Sequence, residues 1–230
     1  MSKQQHTDHH EENFENIERA LTSTEQFIEN NRKRLTYGTI ALIALVAIVI
    51  GYHKLYKAPL EKEAITQIAG AQNYFGKGEY AKALKGDGNK LGFNAVIADY
   101  SSTTAGNTAK AYAGVCYLKL GKYDKAIELL KDFSSDDFLV SQLAISNIGD
   151  AYMEKGKFNE AASSYEKAAK DKTNDFTTPV FLMKAGNAYE MAKNYKKALA
   201  IYEKVEKEHS KSMEARDIEK YITRAKLLLK

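Results

Sequence analysis

The chain changes its hydrophobic pattern twice. Residues 1–34 are polar, with Phe14, Ile17 and Leu21 at i, i+3 and i+7, one face of a short amphipathic helix. From Leu35 to His53 there is no Asp, Glu, Lys or Arg, and Ile40 to Ile50 are eleven consecutive apolar residues. At about 1.5 Å rise per residue, this stretch covers close to 30 Å, the thickness of a hydrocarbon core. Tyr37 and Tyr52 at its ends, with Arg32, Lys33, Arg34, Lys54 and Lys57 outside them, match interfacial anchors. The pattern predicts a transmembrane helix over 35–53, since a buried core helix would show a polar face. From residue 58 onward the helical period of about 3.6 takes over and continues to the end.

Around the span, charge sets an expected orientation. Five Lys/Arg lie ahead of it and Lys54, Lys57 and Lys62 just beyond, which favours a cytoplasmic N-terminus and an exported C-terminal domain. The preceding segment is too long and too acidic for a cleaved signal, HKLYKAP offers no small-x-small site, and no cysteine stands there to carry a lipid. An uncleaved signal anchor is expected. Within residues 1–34, Met1 to Glu12 are expected to be disordered, and Ser23 with Gln26, or Thr22 with Glu25, to cap a second helix. His6, His9 and His10 lack a structured ligand spacing and are read as a solvated tail, not a metal site.

The third regime repeats itself. AYAGVCYLKLGKYDKAIELL, SNIGDAYMEKGKFNEAASSY and MKAGNAYEMAKNYKKALAIY align without gaps. Gly114, Gly149 and Gly186 correspond; Tyr117, Tyr152 and Tyr189 follow three residues later, and Ala126, Ala161 and Ala198 nine residues after those. Aromatics Tyr123, Phe158 and Tyr195 precede the alanines, and the offsets between copies are 35 and 37 residues. Small residues at fixed places let two helices approach closely, so each copy reads as a helical hairpin. Gly121 and Gly156 mark the turn after the first helix. A degenerate copy precedes them, carrying Ala71, Tyr74, Gly78, Tyr80 and Ala83, with 43 residues to the next. There Gly86, Gly88 and Gly92 are expected to end the second helix early. Phe93, Val96, Ile97 and Tyr100 suggest a further short helix, and Ser101 to Asn107 a loop. Ile218, Tyr221, Ile222, Ala225 and Leu229 predict a one-faced helix capping the stack.

This pattern of small residue, Tyr, aromatic and Ala resembles the tetratricopeptide repeat (TPR) family. The family's tryptophan position is here Lys110, Ile145 and Leu182, and its late proline is absent. The resemblance implies an all-α TPR-type solenoid over 58–230, with three clear repeats, one degenerate first repeat and a capping helix. A short tail (1–34) and the membrane anchor (35–53) precede it. It also implies a binding scaffold, with the first helix of each repeat lining a groove for an extended or partly apolar peptide. By the family pattern the groove includes Val115, Leu118, Lys119, Asn147, Asp150, Met153, Met183, Lys184, Asn187 and Met191. Thr108, Ala111, Leu143, Ser146 and Val180 share that face. Some of these side chains could equally pack against the neighbouring helix. Of the five positions with which chaperone-binding TPRs clamp a C-terminal carboxylate, only Asn147 and Lys184 match; Ala111, Val115 and Val180 do not. Such a clamp is not expected.

The layout of acidic tail, FIENNRKRL, single anchor and exported repeats resembles the YfgM-type ancillary subunits of the bacterial Sec translocon. GFNAVIADYSSTTAGNTAKAYAG resembles membrane-anchored TPR proteins of Bacteroidetes-type bacteria. The implied partners are translocon components, periplasmic chaperones and translocating or unfolded chains at a bacterial inner membrane, with the repeats periplasmic. The alternative is a structural subunit, or a cytosol-facing receptor similar to the N-anchored TPR import receptors of mitochondria.

Composition narrows this further. One cysteine excludes a disulfide scaffold, and two prolines in 230 residues suit long helices. The net charge of +4 divides into −2 for residues 1–34 and +6 for residues 54–230. The lysines scatter, which argues against nucleic acid. No phosphate loop or catalytic constellation is present, and no enzyme activity, metal or cofactor is expected. Cys116, between Gly114 and Tyr117, reads as a buried inert thiol, and Asp136-Asp137 as a helix cap.

Overall fold

The computed structural model describes the backbone of residues 4–170 and 174–230, with side chains from residue 25 onward in the same ranges. The chain divides into two compact units, residues 1–59 and 60–230.

The first unit is dominated by α1 (Gln4–Tyr52), which passes through a π-turn at His53–Lys57 into α2 (Ala58–Gly76). The expected disorder up to Glu12 is not found from Gln4 onward, and no cap interrupts the helix at Thr22 or Ser23. The reason lies in what the segment lacks: no glycine or proline occurs before Gly38, so nothing stops propagation through Glu, Gln, Lys and Leu. One apolar window has a mean hydropathy of 2.1 and none of it is buried, so this helix is long and apolar enough to cross a membrane. Tyr52 and Tyr56 stack at 5.4 Å on the π-turn.

In the second unit, among the described residues, the elements are helices and turns. After α2 come α3 (Tyr80–Lys85), α4 (Phe93–Asp99), α5 (Thr104–Lys119), α6 (Tyr123–Asp132), α7 (Phe138–Glu154), α8 (Phe158–Ala168), α9 (Thr178–Met191), α10 (Tyr195–Glu208) and α11 (Ile218–Leu228). Three hairpins, α5–α6, α7–α8 and α9–α10, repeat one design. The small residue of the first helix meets the residue sixteen positions later: Gly114 faces Leu130, Gly149 faces Tyr165 and Gly186 faces Tyr202. Ala126, Ala161 and Ala198 have no exposed surface.

Each first helix ends the same way. The amide five residues beyond its tyrosine closes back on the tyrosine carbonyl: Glu79 on Tyr74, Lys122 on Tyr117, Lys157 on Tyr152 and Asn194 on Tyr189. The turn requires a left-handed residue, supplied by Gly78, Gly121 and Gly156, but in the last hairpin by Lys193 at φ 57°.

The residue after each buried contact ties one hairpin to the next. Asn94 accepts from the Tyr117 hydroxyl at 3.1 Å, Lys131 donates to Tyr152 at 3.3 Å, and Glu166 accepts from Tyr189 at 2.7 Å. Asn94 belongs to α4, so buried Phe93 holds in the first hairpin the place of Leu130, Tyr165 and Tyr202. The degenerate repeat is therefore a normal hairpin whose second helix is split into α3 and α4. The intervening residues 86–92 return on themselves through a bridge between Gly86 and Leu91. A Cβ on Gly86 would lie 2.2 Å from the Lys90 carbonyl, and one on Gly92 would lie 2.4 Å from the Gly86 amide, so both crossings require glycine. This excursion accounts for the 43-residue spacing.

Two local expectations need correction. The loop after Tyr100 is shorter than Ser101–Asn107, because Thr103 caps α5 through the Gly106 amide at 2.9 Å and Glu61 accepts from Thr104 and Ala105 at 2.7 and 3.2 Å. With these amides satisfied, helix starts at Thr104. At the other end α11 buries Ile218, Ile222 and Ala225, but Leu229 lies past its last turn and is exposed.

Candidate functional site

The first helices of the hairpins carry the expected groove positions, and the structure divides them among three settings. Leu118, Lys119, Asp150, Met153, Lys184 and Asn187 line one open cavity of about 540 Å³, together with Tyr123, Glu154 and Tyr165. Val115 lines a different cavity of about 810 Å³, with Thr108, Ala111 and Tyr112 of α5, Phe75 of α2 and the 133–136 turn. Asn147, Met183 and Met191 border neither; Asn147 and Met183 are half-buried and Met191 is exposed.

Electrostatics in the smaller cavity is set by one ion pair. Lys184 Nζ lies 2.9 and 3.1 Å from the two Asp150 oxygens, 3.4 Å from Ser146 Oγ and 5.3 Å from the Tyr165 ring centre. The Tyr165 hydroxyl donates to Asp150 at 2.6 Å, and burial first, then this carboxylate, holds its pKa far above the ordinary phenol value. The spacing follows from the stack, because Asp150 stands one residue after the α7 glycine and Lys184 two before the α9 glycine. Lys184 is thus a neutralised strut between α7 and α9 rather than a free donor for an anion. Asn147, its companion in the partial clamp pattern, makes no side-chain hydrogen bond among the described residues. Beside them, Lys119 and Glu154 are exposed and have no ion-pair partner among the described residues, although Glu154 accepts from the Tyr123 hydroxyl at 3.3 Å.

The glycine, tyrosine and alanine positions lie between helices. Gly114, Gly149 and Gly186 are buried under Leu130, Tyr165 and Tyr202. Tyr117 and Tyr189 are buried, whereas Tyr152 is half-buried. Burial and then Glu166 push the Tyr189 hydroxyl up to about 12.

Cys116 is fully buried, and burial pushes its thiol up to about 12, so the thiolate is disfavoured. Of the Asp136-Asp137 pair only Asp137 caps α7, accepting from the Val140 amide at 3.1 Å. Among the described residues no three His, Cys, Asp or Glu side chains come together as a metal site. The side chains of His6, His9 and His10 lie outside the described part.

Sequence reasoning missed two features of this surface. One is the Asp150–Lys184 pairing, visible only once the register of neighbouring helices is fixed. The other is that Phe138, Leu139 and Val140, at the start of α7, are exposed rather than packed.

Two family models, both described as tetratricopeptide repeat, match residues 112–136 and 147–212. The chain carries tetratricopeptide repeats. The matched residues take in the second half of α5 with α6, and the second half of α7 with α8, α9 and α10, and the split first hairpin lies outside them. No curated protein matches the chain. Among solved structures, the chain is similar to a protein described as a Podosopora anserina kinesin light chain with nearly identical TPR-like repeats. Identity is 14%, with 73% of this chain and 87% of that one covered at a TM-score of 0.54. A variant of that same protein with one residue replaced is 15% identical, with 73% and 86% covered at a TM-score of 0.54. At this identity the likeness concerns the TPR fold. TPR repeats of this kind form a protein-interaction scaffold.

Proposed function

We propose that the protein is a membrane-anchored, non-catalytic TPR scaffold that holds protein partners at the outer face of a bacterial inner membrane. In this reading the chain crosses the bilayer through residues 35–53, with the tail cytoplasmic and the repeats periplasmic. The partners are envelope chaperones, translocon components or newly translocated chains. The observation that carries the reading is the joining of an apolar, wholly exposed helical span to hairpins whose first helices present open cavities of about 540 and 810 Å³. A cavity lined by Leu118 and Met153 beside Lys119, Glu154 and Asn187 suits an extended polypeptide with both apolar and polar side chains.

Two measurements test this. Alkaline phosphatase fused after Lys230 should be active in cells; a stable but inactive fusion would place the repeats on the cytosolic side, as in the receptor alternative. A photo-crosslinker at Asn187 or Met153 should then capture envelope chaperones or translocon subunits. Recovery of neither would refute the partner assignment.

A further inference from the structure

The domain is basic overall, yet one stretch of it is not. From Asp132 to Glu154 the chain has five acidic residues and no Lys or Arg. The next first helix begins the same way, since Asn174 to Met183 contains Asp175 and no basic residue. Within these two stretches lies a concentration of exposed large apolar side chains. Leu143 and Val180 each stand six residues before their glycine and are 47% and 38% exposed; Leu139 and Phe176 each stand ten before it and are 43% and 84% exposed. Leu139 and Leu143 lie on α7, Val180 on α9 and Phe176 in the turn before it. Counting from the glycines thus puts exposed apolar side chains at the same end of two successive hairpins, and we read them as one strip. Asp136, Asp137 and Asp175 border this strip; Asp137 caps α7 and Asp175 lies 2.7 Å from His209 Nδ1, which leaves Asp136, among the described residues, as the free carboxylate of the three.

The adjoining 810 Å³ cavity has the same sign. It is lined by Val140, by the hydroxyls of Ser101, Thr104 and Thr108, and by Asp136. Lys110, its one basic lining residue among those described, is held 2.6 Å from Asp132. Asp136 has no ion-pair partner among the described residues. An apolar strip edged by carboxylates and free of competing lysines selects against anionic surfaces and for cations joined to apolar side chains.

Building on the scaffold reading, we propose that this acidic-apolar rim docks a cationic amphipathic segment of a protein partner. Its apolar face would cover Leu139, Leu143, Phe176 and Val180, and its Lys or Arg side chains would reach Asp136 and the hydroxyl-lined cavity.

The test uses the full chain in neutral detergent and three fluorescein-labelled 18-residue helical peptides. One carries Leu at i, i+3, i+4 and i+7 with flanking Lys. The second has Glu for each Lys, and the third Ser for each Leu. By fluorescence anisotropy the Lys–Leu peptide binds at least tenfold more tightly than either control, and the gap over the Glu peptide narrows as salt rises. Leu143→Ser with Val180→Ser weakens it tenfold or more, and Asp136→Lys weakens it severalfold. These side chains are exposed, so unchanged hydrogen exchange in α7, α8 and α9 confirms that the fold is kept. Equal binding of the Glu peptide, or variants that bind as the parent does, overturns the proposal. So does protection of Leu143 by phosphatidylglycerol vesicles but not by the Lys–Leu peptide. Should these fail while Asn187 still crosslinks envelope partners in cells, the rim assignment falls and the scaffold reading stands.

Discussion

Replacing Gly186 by alanine measures how closely the helices of one hairpin are packed. A methyl there would lie 2.3 Å from Cε1 of Tyr202, 2.8 Å from Cζ and 2.9 Å from Cδ1. Tyr202 has no exposed surface and its ring lies 5.4 Å from that of Tyr221, so it cannot swing aside into solvent. Overfilling a packed core costs roughly 1–3 kcal/mol. Alanine returns about 1 kcal/mol over glycine inside a helix. A net destabilisation of about 0–2 kcal/mol follows for Gly186→Ala, toward the upper end because the Tyr202 ring cannot move away. At Gly114 the obstructing atoms are Leu130 Cγ and Cδ2, at 2.6 and 2.9 Å, and a leucine can change rotamer. Gly114→Ala should therefore be near neutral. Hydrogen exchange by mass spectrometry on the full chain reads both, because about 1.4 kcal/mol corresponds to a tenfold change in the opening equilibrium. Amides of α9 and α10 should exchange roughly tenfold faster in Gly186→Ala, and those of α5 and α6 should change little in Gly114→Ala. Tyr202→Leu, which copies the second hairpin, should relieve the clash, so the double variant costs less than the sum of the singles. Slower exchange in Gly186→Ala, parity with Gly114→Ala, or strict additivity with Tyr202→Leu would show that the glycine is not a spacer.

Two further outcomes follow from local geometry. Lys193→Gly removes a left-handed lysine from a turn that uses glycine in the other three hairpins, and should stabilise α9–α10 by roughly 0.5–1 kcal/mol, slowing exchange there severalfold; faster exchange would refute it. The Asp87 carboxyl accepts from the Tyr74 hydroxyl and the Lys90 and Asn89 amides, which hold it at about 2 against an ordinary 3.8. With the folded value depressed, its support of the 86–92 excursion is complete above about pH 4 and disappears as pH falls through about 2. Protection of the Asn89 and Lys90 amides, their exchange rate taken relative to that of an unstructured peptide at the same pH, should fall over that window in the parent. Asp87→Asn should make the protection independent of pH; a flat parent protection profile would sink the argument.

The parts of this fold written in local chemistry were legible in the sequence. Glycine, tyrosine and alanine at fixed offsets identified three hairpins, because each such residue answers to a single close contact within its own repeat: Gly149 to Tyr165, for example. The split hairpin was harder. Its glycines announced a broken helix, but that α4 resumes the second helix depended on Phe93 and Asn94 taking the places of Leu130 and Lys131, across seven residues that return to their starting point. The N-terminal helix was underestimated for the opposite reason. Ser and Thr favour caps where a helix begins, yet Thr22 and Ser23 sit in a stretch with no breaker on either side, and continuation satisfies their backbone groups equally well.

The surface was least legible, because its chemistry arises between repeats. Lys184 matched a clamp position for a carboxylate when read along one helix. Read across two, it stands beside Asp150, and a cation already held by two oxygens and an aromatic ring offers little to an incoming anion. By the same register Asn147 is the counterpart of Lys184 one hairpin earlier, and Val115 that of Asp150, so no charge is cancelled there. Charge on this face therefore depends on which repeats are neighbours, not on the content of any one of them. With Lys184 and Lys110 both neutralised, Asp136 remains as an unpaired charge beside the apolar strip. The lysines scatter over the domain, but none stands between Asp132 and Glu154, where Phe138, Leu139, Val140 and Leu143 are exposed. Carboxylates therefore set the sign of that surface although the domain as a whole is basic.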